Sequence, residues 1–198
     1  TQYELPFTRD FILPAGRLRE RRASYERADI LIVSKCPDQL TLAEKQKLID
    51  EIKPYEYQRV FFSAYQYFDP YSMFDPSIRI QLEDIHHLLI ISAIANTSYL
   101  MKHLDKFENE VTTMEYEDHH YFTEFDINQT KTYFDTLPKG KSICLTTEKD
   151  ATRLALHHEL LRKLEIPIFV LPVAVEILFD EGPEFDTLVQ QYLLQKEV

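Results

Sequence analysis

Short, nearly continuous apolar runs recur along the chain, at residues 30–33, 60–62, 88–91, 143–145 and 168–171. Strands buried on both faces of a mostly parallel sheet read this way, because neither face meets water. Residues 110–116 alternate more and suit a strand nearer a sheet edge. Between the runs, apolar positions recur at helical spacing. One stripe is Leu48, Ile49 and Ile52, and a second is Ile127, Tyr133, Phe134 and Leu137. A third is Ala151, Leu154, Ala155 and Leu161. A last helix over residues 184–195 carries Phe185, Leu188, Val189, Tyr192 and Leu193. Thr41 with Glu44, and Thr147 with Asp150, have the spacing of capping boxes, and Asp126 with Gln129 is a weaker version. Residues 66–79, rich in Tyr, Pro and Asp, read as a long surface loop. The pattern predicts an α/β fold, a layered and mostly parallel sheet flanked by helices, forming one domain over residues 1–198.

Composition narrows the function classes. The 198 residues carry a formal net charge of −11, which argues against nucleic acid or a general membrane surface as partner. The run from Leu88 to Ala95, interrupted by Ser92, is far short of the roughly 18 apolar residues of a membrane-spanning helix. No signal peptide is evident, and the abrupt start at Thr1 reads as a trimmed chain. Cys36 and Cys144 lack metal-ligand spacing and are expected to be buried free thiols. The chain has only three glycines, Gly16, Gly140 and Gly182. Gly140-Lys141-Ser142 imitates the end of a phosphate-binding loop. The glycine that should precede it falls at Asp135, and the segment leads into a strand instead of leaving one. No nucleotide loop is therefore expected.

Candidate chemistry falls at three places. Asp118-His119-His120 follows a predicted strand, where open α/β sheets place their ligands, and a carboxylate can orient an imidazole for proton transfer. The plainer reading is a polar loop. Arg17, Arg19, Arg21, Arg22 and Arg27 form a basic cluster after the tight turn at Leu13 to Gly16. Guanidinium forks suit phosphate oxygens, though a solvated helix face explains them as well. Glu20, set among them, can pair with an arginine or hold a metal. Lys149 stands at the start of a predicted helix, where backbone amides can receive an anion; the capping roles of Thr147 and Asp150 favour a structural reading. The pairs His86-His87 and His157-His158 read as structural. The dense aromatics from Tyr55 to Phe74 read as a core strand plus a wrapped loop.

Five segments together resemble the tetraacyldisaccharide 4'-kinase family of lipid A biosynthesis. They are Phe11-Ile12-Leu13-Pro14-Ala15-Gly16-Arg17-Leu18-Arg19-Glu20, residues 27–37, residues 90–96, residues 118–123 and Thr146-Thr147-Glu148-Lys149-Asp150. The chain departs from the family's habit at Arg21, where Pro is usual, at Ala93 for Gly, and at Thr97 for Pro; these bear on local loop geometry. The resemblance implies the C-terminal domain of a P-loop kinase, without the N-terminal P-loop domain that binds ATP and Mg2+. The whole enzyme would transfer the γ-phosphate of ATP to the 4'-hydroxyl of the lipid A disaccharide precursor. It would act at the cytoplasmic side of the inner membrane of a Gram-negative bacterium. This fragment would bind no cofactor, have no transmembrane segment and be inactive alone, its partner being the missing N-terminal domain. The resemblance implies that His119 pairs with an Asp of that domain in acid–base catalysis, with Asp118 fixing the loop. Arg17 and Arg19 would contact phosphates. Glu20 would lie near the metal or an arginine, and Lys149 would be structural or at the substrate cleft. Two other readings stand beside this one. The first is a metal-dependent phosphoesterase using Asp118, His119 and His120. The second is a non-catalytic interaction domain docking through the aromatic loop and the last helix.

Overall fold

The computed structural model describes residues 1–94 and 96–195. Ala95, which closes the apolar run and belongs to the 90–96 motif, lies outside the described residues. The chain divides into two compact units, a division the apolar pattern does not announce. The first comprises residues 1–66 and 174–198, and the second residues 67–173.

In the first unit, β1 (Ile30–Val33) and β2 (Arg59–Tyr67) pair in parallel, with Val33 opposite Phe62. The helix α1 (Leu42–Ile52) connects them. Its start is the capping box that the sequence indicates. The Thr41 hydroxyl accepts from the Glu44 amide while the Glu44 carboxylate accepts from the Thr41 amide. Val33, Cys36, Leu40, Leu48, Ile52 and Phe62 form the core. A further strand, β8 (Val173–Ile177), lies beside β2 in the order β1-β2-β8, and α6 (Gly182–Gln195) follows it. The apolar pattern does not call for β8, and its residues are largely exposed, so burial leaves no signature there.

In the second unit the sheet order is β3-β7-β6-β4-β5, with β3 (Tyr71–Ser72), β4 (His87–Ser92), β5 (Glu110–Glu115), β6 (Ser142–Thr147) and β7 (Ile168–Leu171). The last four pair in parallel; β3 is antiparallel to β7. The segment expected to be a loop over 66–79 therefore contains the end of β2 and the edge strand β3. β5 does sit at an edge. The interior strand β4 is buried on both faces. Leu88 and Ile90 join one cluster with Leu100 and Leu104 of α2 (Ser98–Leu104). Leu89 and Ile91 join the other. There they meet Ile127 of α3 (Glu124–Phe134), Leu154 of α4 (Glu148–Leu154) and Leu161 of α5 (His158–Lys163). This is a helix–sheet–helix layering, as the continuous apolar runs imply.

Leu154 is fully buried in that second cluster. Leu154→Ala is expected to cost about 2–5 kcal/mol of unfolding free energy, measured by urea denaturation.

Candidate functional site

The parallel strands β4, β5 and β6 release their chains at the same sheet edge. Asp118 and His119 form the turn after β5. His119 takes a left-handed backbone conformation (φ 67°) and its amide donates to the Ala93 carbonyl at 3.2 Å, just beyond β4. Its imidazole is 69% exposed, so the ring is offered outward. Nε2 lies 3.4 Å from Asp118 Oδ2. Nδ1 lies 2.9 Å from an Arg153 guanidinium nitrogen. Lys149 Nζ reaches Asp118 Oδ1 at 3.2 Å. That hydrogen bond, with the Lys149 charge, holds the Asp118 carboxyl below its usual range. Asp118, His119 and Lys149 are thus brought together.

His120 turns away from this group. Its Nε2 meets Asp126 Oδ2 at 2.9 Å and its ring stacks on Tyr116. Asp126 is not the N-cap that its spacing to Gln129 indicates. Thr123 caps α3, and Asp126 is the reciprocal partner inside the first turn. His120 therefore fastens the loop to a helix start. His157 is also structural, with Nε2 2.6 Å from the Phe122 carbonyl.

Thr147 caps α4 as expected, accepting from the Asp150 amide at 3.1 Å. The reciprocal half of the box is absent, because Asp150 uses its carboxylate elsewhere. Asp150 is fully buried; Oδ2 accepts from the Ala93 amide at 3.1 Å and from the Thr147 hydroxyl at 2.9 Å. Oδ1 faces Arg153 at 3.3 Å. Arg153 is not among the residues that the sequence pattern marks. A cleft of about 550 Å³ opens beside Asp118, lined by Ile94, Asn96, Thr97, Ser98, Glu115 and Tyr116.

Arg17, Arg19 and Glu20 belong to the first unit. A small loop is closed by Leu13 N to Leu18 O and Leu18 N to Phe11 O, both 2.9 Å. Asp10 Oδ1 accepts from the Phe11 and Arg17 amides at 2.8 and 3.1 Å. Gly16 is required there, since a Cβ would stand 2.3 Å from the Phe11 carbonyl oxygen. Arg17 and Arg19 leave this loop exposed. Glu20 pairs with Arg27 at 2.7 Å, and that bond lowers its pKa. Burial pushes the Cys36 thiol up to about 11 and the Cys144 thiol higher still, so both free cysteines are unreactive near neutrality. Among the described residues, no three His, Cys, Asp or Glu side chains form a metal-binding group.

Residues 1–194 match the family described as Tetraacyldisaccharide-1-P 4'-kinase. The chain is 33% identical over 187 residues to a tetraacyldisaccharide 4'-kinase of Phocaeicola vulgatus, covering 93% of this chain and 51% of the relative. It is 33% identical over 199 residues to one of Bacteroides fragilis, covering 98% and 53%. It thus spans about half the length of the curated relatives it matches. A crystal structure of LpxK from Aquifex aeolicus in complex with ATP shares the fold. The TM-score is 0.56 at 20% identity, over 92% of this chain and 48% of that one.

Two outcomes test the local architecture. Gly16→Ala forces a backbone clash and should cost about 1–3 kcal/mol, read by thermal unfolding. Asp126→Ala should cost about 1 kcal/mol at neutral pH. Burial raises the Asp126 pKa, but the bonds from His120 and Thr123 outweigh it, and the net shift is downward from 3.8. A lowered folded-state pKa contributes stability above the ordinary value and loses it as pH falls through the folded one. The deficit of the variant should therefore shrink below about pH 4, in a denaturation series across pH.

Proposed function

We propose a function from one premise: the chain belongs to the tetraacyldisaccharide-1-P 4'-kinase family. It is the part of such a kinase that supplies His119 to phosphoryl transfer from ATP to the 4'-hydroxyl of the lipid A disaccharide precursor. The observation that carries this reading is the Asp118–His119 turn. An exposed imidazole stands at the sheet edge with Nδ1 bonded to Arg153 and Nε2 facing Asp118. Phosphoryl transfer asks a protein mainly for positioning and charge stabilisation, with one group placed to receive the hydroxyl proton.

The glycines support placing the nucleotide on the other half of the longer protein. Gly140 opens β6, and the Lys141 carbonyl accepts from the His86 and His87 amides, so this turn is committed to the sheet. Among the described residues there is no glycine-rich cradle for phosphates, so binding of ATP and Mg2+ is assigned to the other half of the longer protein. Within this chain, His119 takes part in the acid–base pair with an aspartate of that other half. Asp118, braced by Lys149, fixes the turn. Arg17 and Arg19 contact phosphate oxygens, and Glu20 orients the arginine cluster through Arg27. The polar cleft beside Asp118 suits sugar hydroxyls, with Asn96, Ser98 and Glu115 as hydrogen-bonding groups. The working location is the cytoplasmic face of the inner membrane of a Gram-negative bacterium. No helix among the described residues is long and apolar enough to cross a membrane.

This 198-residue chain alone should show no ATP-dependent phosphorylation of the disaccharide lipid; turnover would overturn the assignment of ATP to the other half. In the longer protein, His119→Ala should lower turnover by at least ~10²-fold in a radiolabelled phosphate assay. Wild-type turnover in that variant removes His119 from the mechanism.

A further inference from the structure

Arginine has five N–H donors and no acceptor, so a nitrogen that bonds a guanidinium must offer a lone pair. Arg153 lies 2.9 Å from His119 Nδ1. The ring proton must then sit on Nε2, the nitrogen that faces Asp118 Oδ2 at 3.4 Å. We propose that Arg153 is a positioning residue that holds His119 as the Nε2–H tautomer, so that His119 meets a carboxylate as a hydrogen-bond donor. The proposal rests on the reading of His119 as part of the acid–base pair.

The geometry around Arg153 favours a fixed role over a chance surface contact. Its side chain is only 15% exposed, and the carboxylate beside it is not exposed at all. One guanidinium nitrogen faces Asp150 Oδ1 at 3.3 Å and approaches the Ala93 carbonyl at 3.5 Å; the other bonds His119. The same Ala93 carbonyl accepts from the His119 amide, and the Ala93 amide donates to Asp150. Backbone and ring of His119 are therefore referred to one frame. The planar fork lets Arg153 bridge Asp150 and His119 at once, which a lysine ammonium does with less directional control. A left-handed backbone at a non-glycine residue is the kind of local strain that clusters at working sites.

The test reads the tautomer directly. In the longer protein labelled with 15N-histidine, a long-range 1H–15N spectrum at alkaline pH should show His119 with a bare Nδ1 and a protonated Nε2. The resonance is assigned by its loss in His119→Ala. A protonated Nδ1 in the wild type overturns the proposal without any variant having to fold. Arg153→Met should mix the tautomers and lower kcat by about 10²-fold, the order lost when a catalytic group is misplaced. KM for the lipid and for ATP should move by less than about threefold, the pattern of a loss felt only in the transition state. If Met at 153 unfolds the protein by orphaning Asp150, Arg153→Lys keeps a cation there and must still weaken the Nε2–H preference. An unaltered tautomer together with unaltered kcat in the folded variant sinks the idea. Undiminished turnover in His119→Ala would sink the acid–base reading instead, and the wild-type tautomer would still report on Arg153.

Discussion

The buried carboxylate of Asp150 is the constraint on which the site depends. A charge with no solvent exposure costs several kcal/mol unless its surroundings answer it. Here each oxygen has its own answer: Oδ2 takes the Ala93 amide and the Thr147 hydroxyl, and Oδ1 takes Arg153. The first pair ties the end of β4 to the end of β6. The second fixes a guanidinium close to the sheet edge, where its other terminal nitrogen bonds His119 Nδ1. A carboxylate buried beneath the turn thereby decides how an exposed imidazole is presented above it.

The parallel sheet makes that arrangement possible. β4, β5 and β6 run the same way, so Ala93, the Asp118–His119 turn and the Thr147–Asp150 cap emerge at one edge. Crossover helices bury both faces of β4, which leaves the strand ends as the places where polar groups can gather. The turn after β5 is secured twice, by the His119 amide on Ala93 and by His120 on Asp126. Two adjacent histidines thus do different jobs, one closing the loop onto the start of α3 and one facing out.

Much of this was legible in the sequence where one physical effect dominates. Ile30–Val33 and Ile168–Leu171 read as strands because continuous apolar runs have few alternatives, and they match β1 and β7 end to end. Thr41 with Glu44 read as a helix start because the reciprocal bonds are local. β3 is a two-residue edge strand and β8 is largely exposed, so neither carries a burial signature. Asp126 misled because it stands three residues inside the cap that it helps to form. The two-unit division was hidden because the first unit is discontinuous: the chain leaves it after residue 66 and returns at 174 without a linker in between. Asp118-His119 was visible as a carboxylate–imidazole pair at a strand end. Arg153 was not, because only the tertiary fold carries it across a separation of 34 residues to the ring.

The net charge of −11 is a further case where a global property hides a local one. Exposed charges separated by more than about 10 Å are largely screened at ordinary salt. A phosphate oxygen near Arg17 and Arg19 therefore responds to the arginine loop far more than to carboxylates on distant surfaces. Within that loop, Glu20 is already answered by Arg27, and Asp10 spends Oδ1 on backbone amides. The local acids thus stabilise the loop instead of neutralising the two exposed guanidinium groups. Gly16 admits the close backbone approach that this requires. A chain of net negative charge can in this way present a local basic loop.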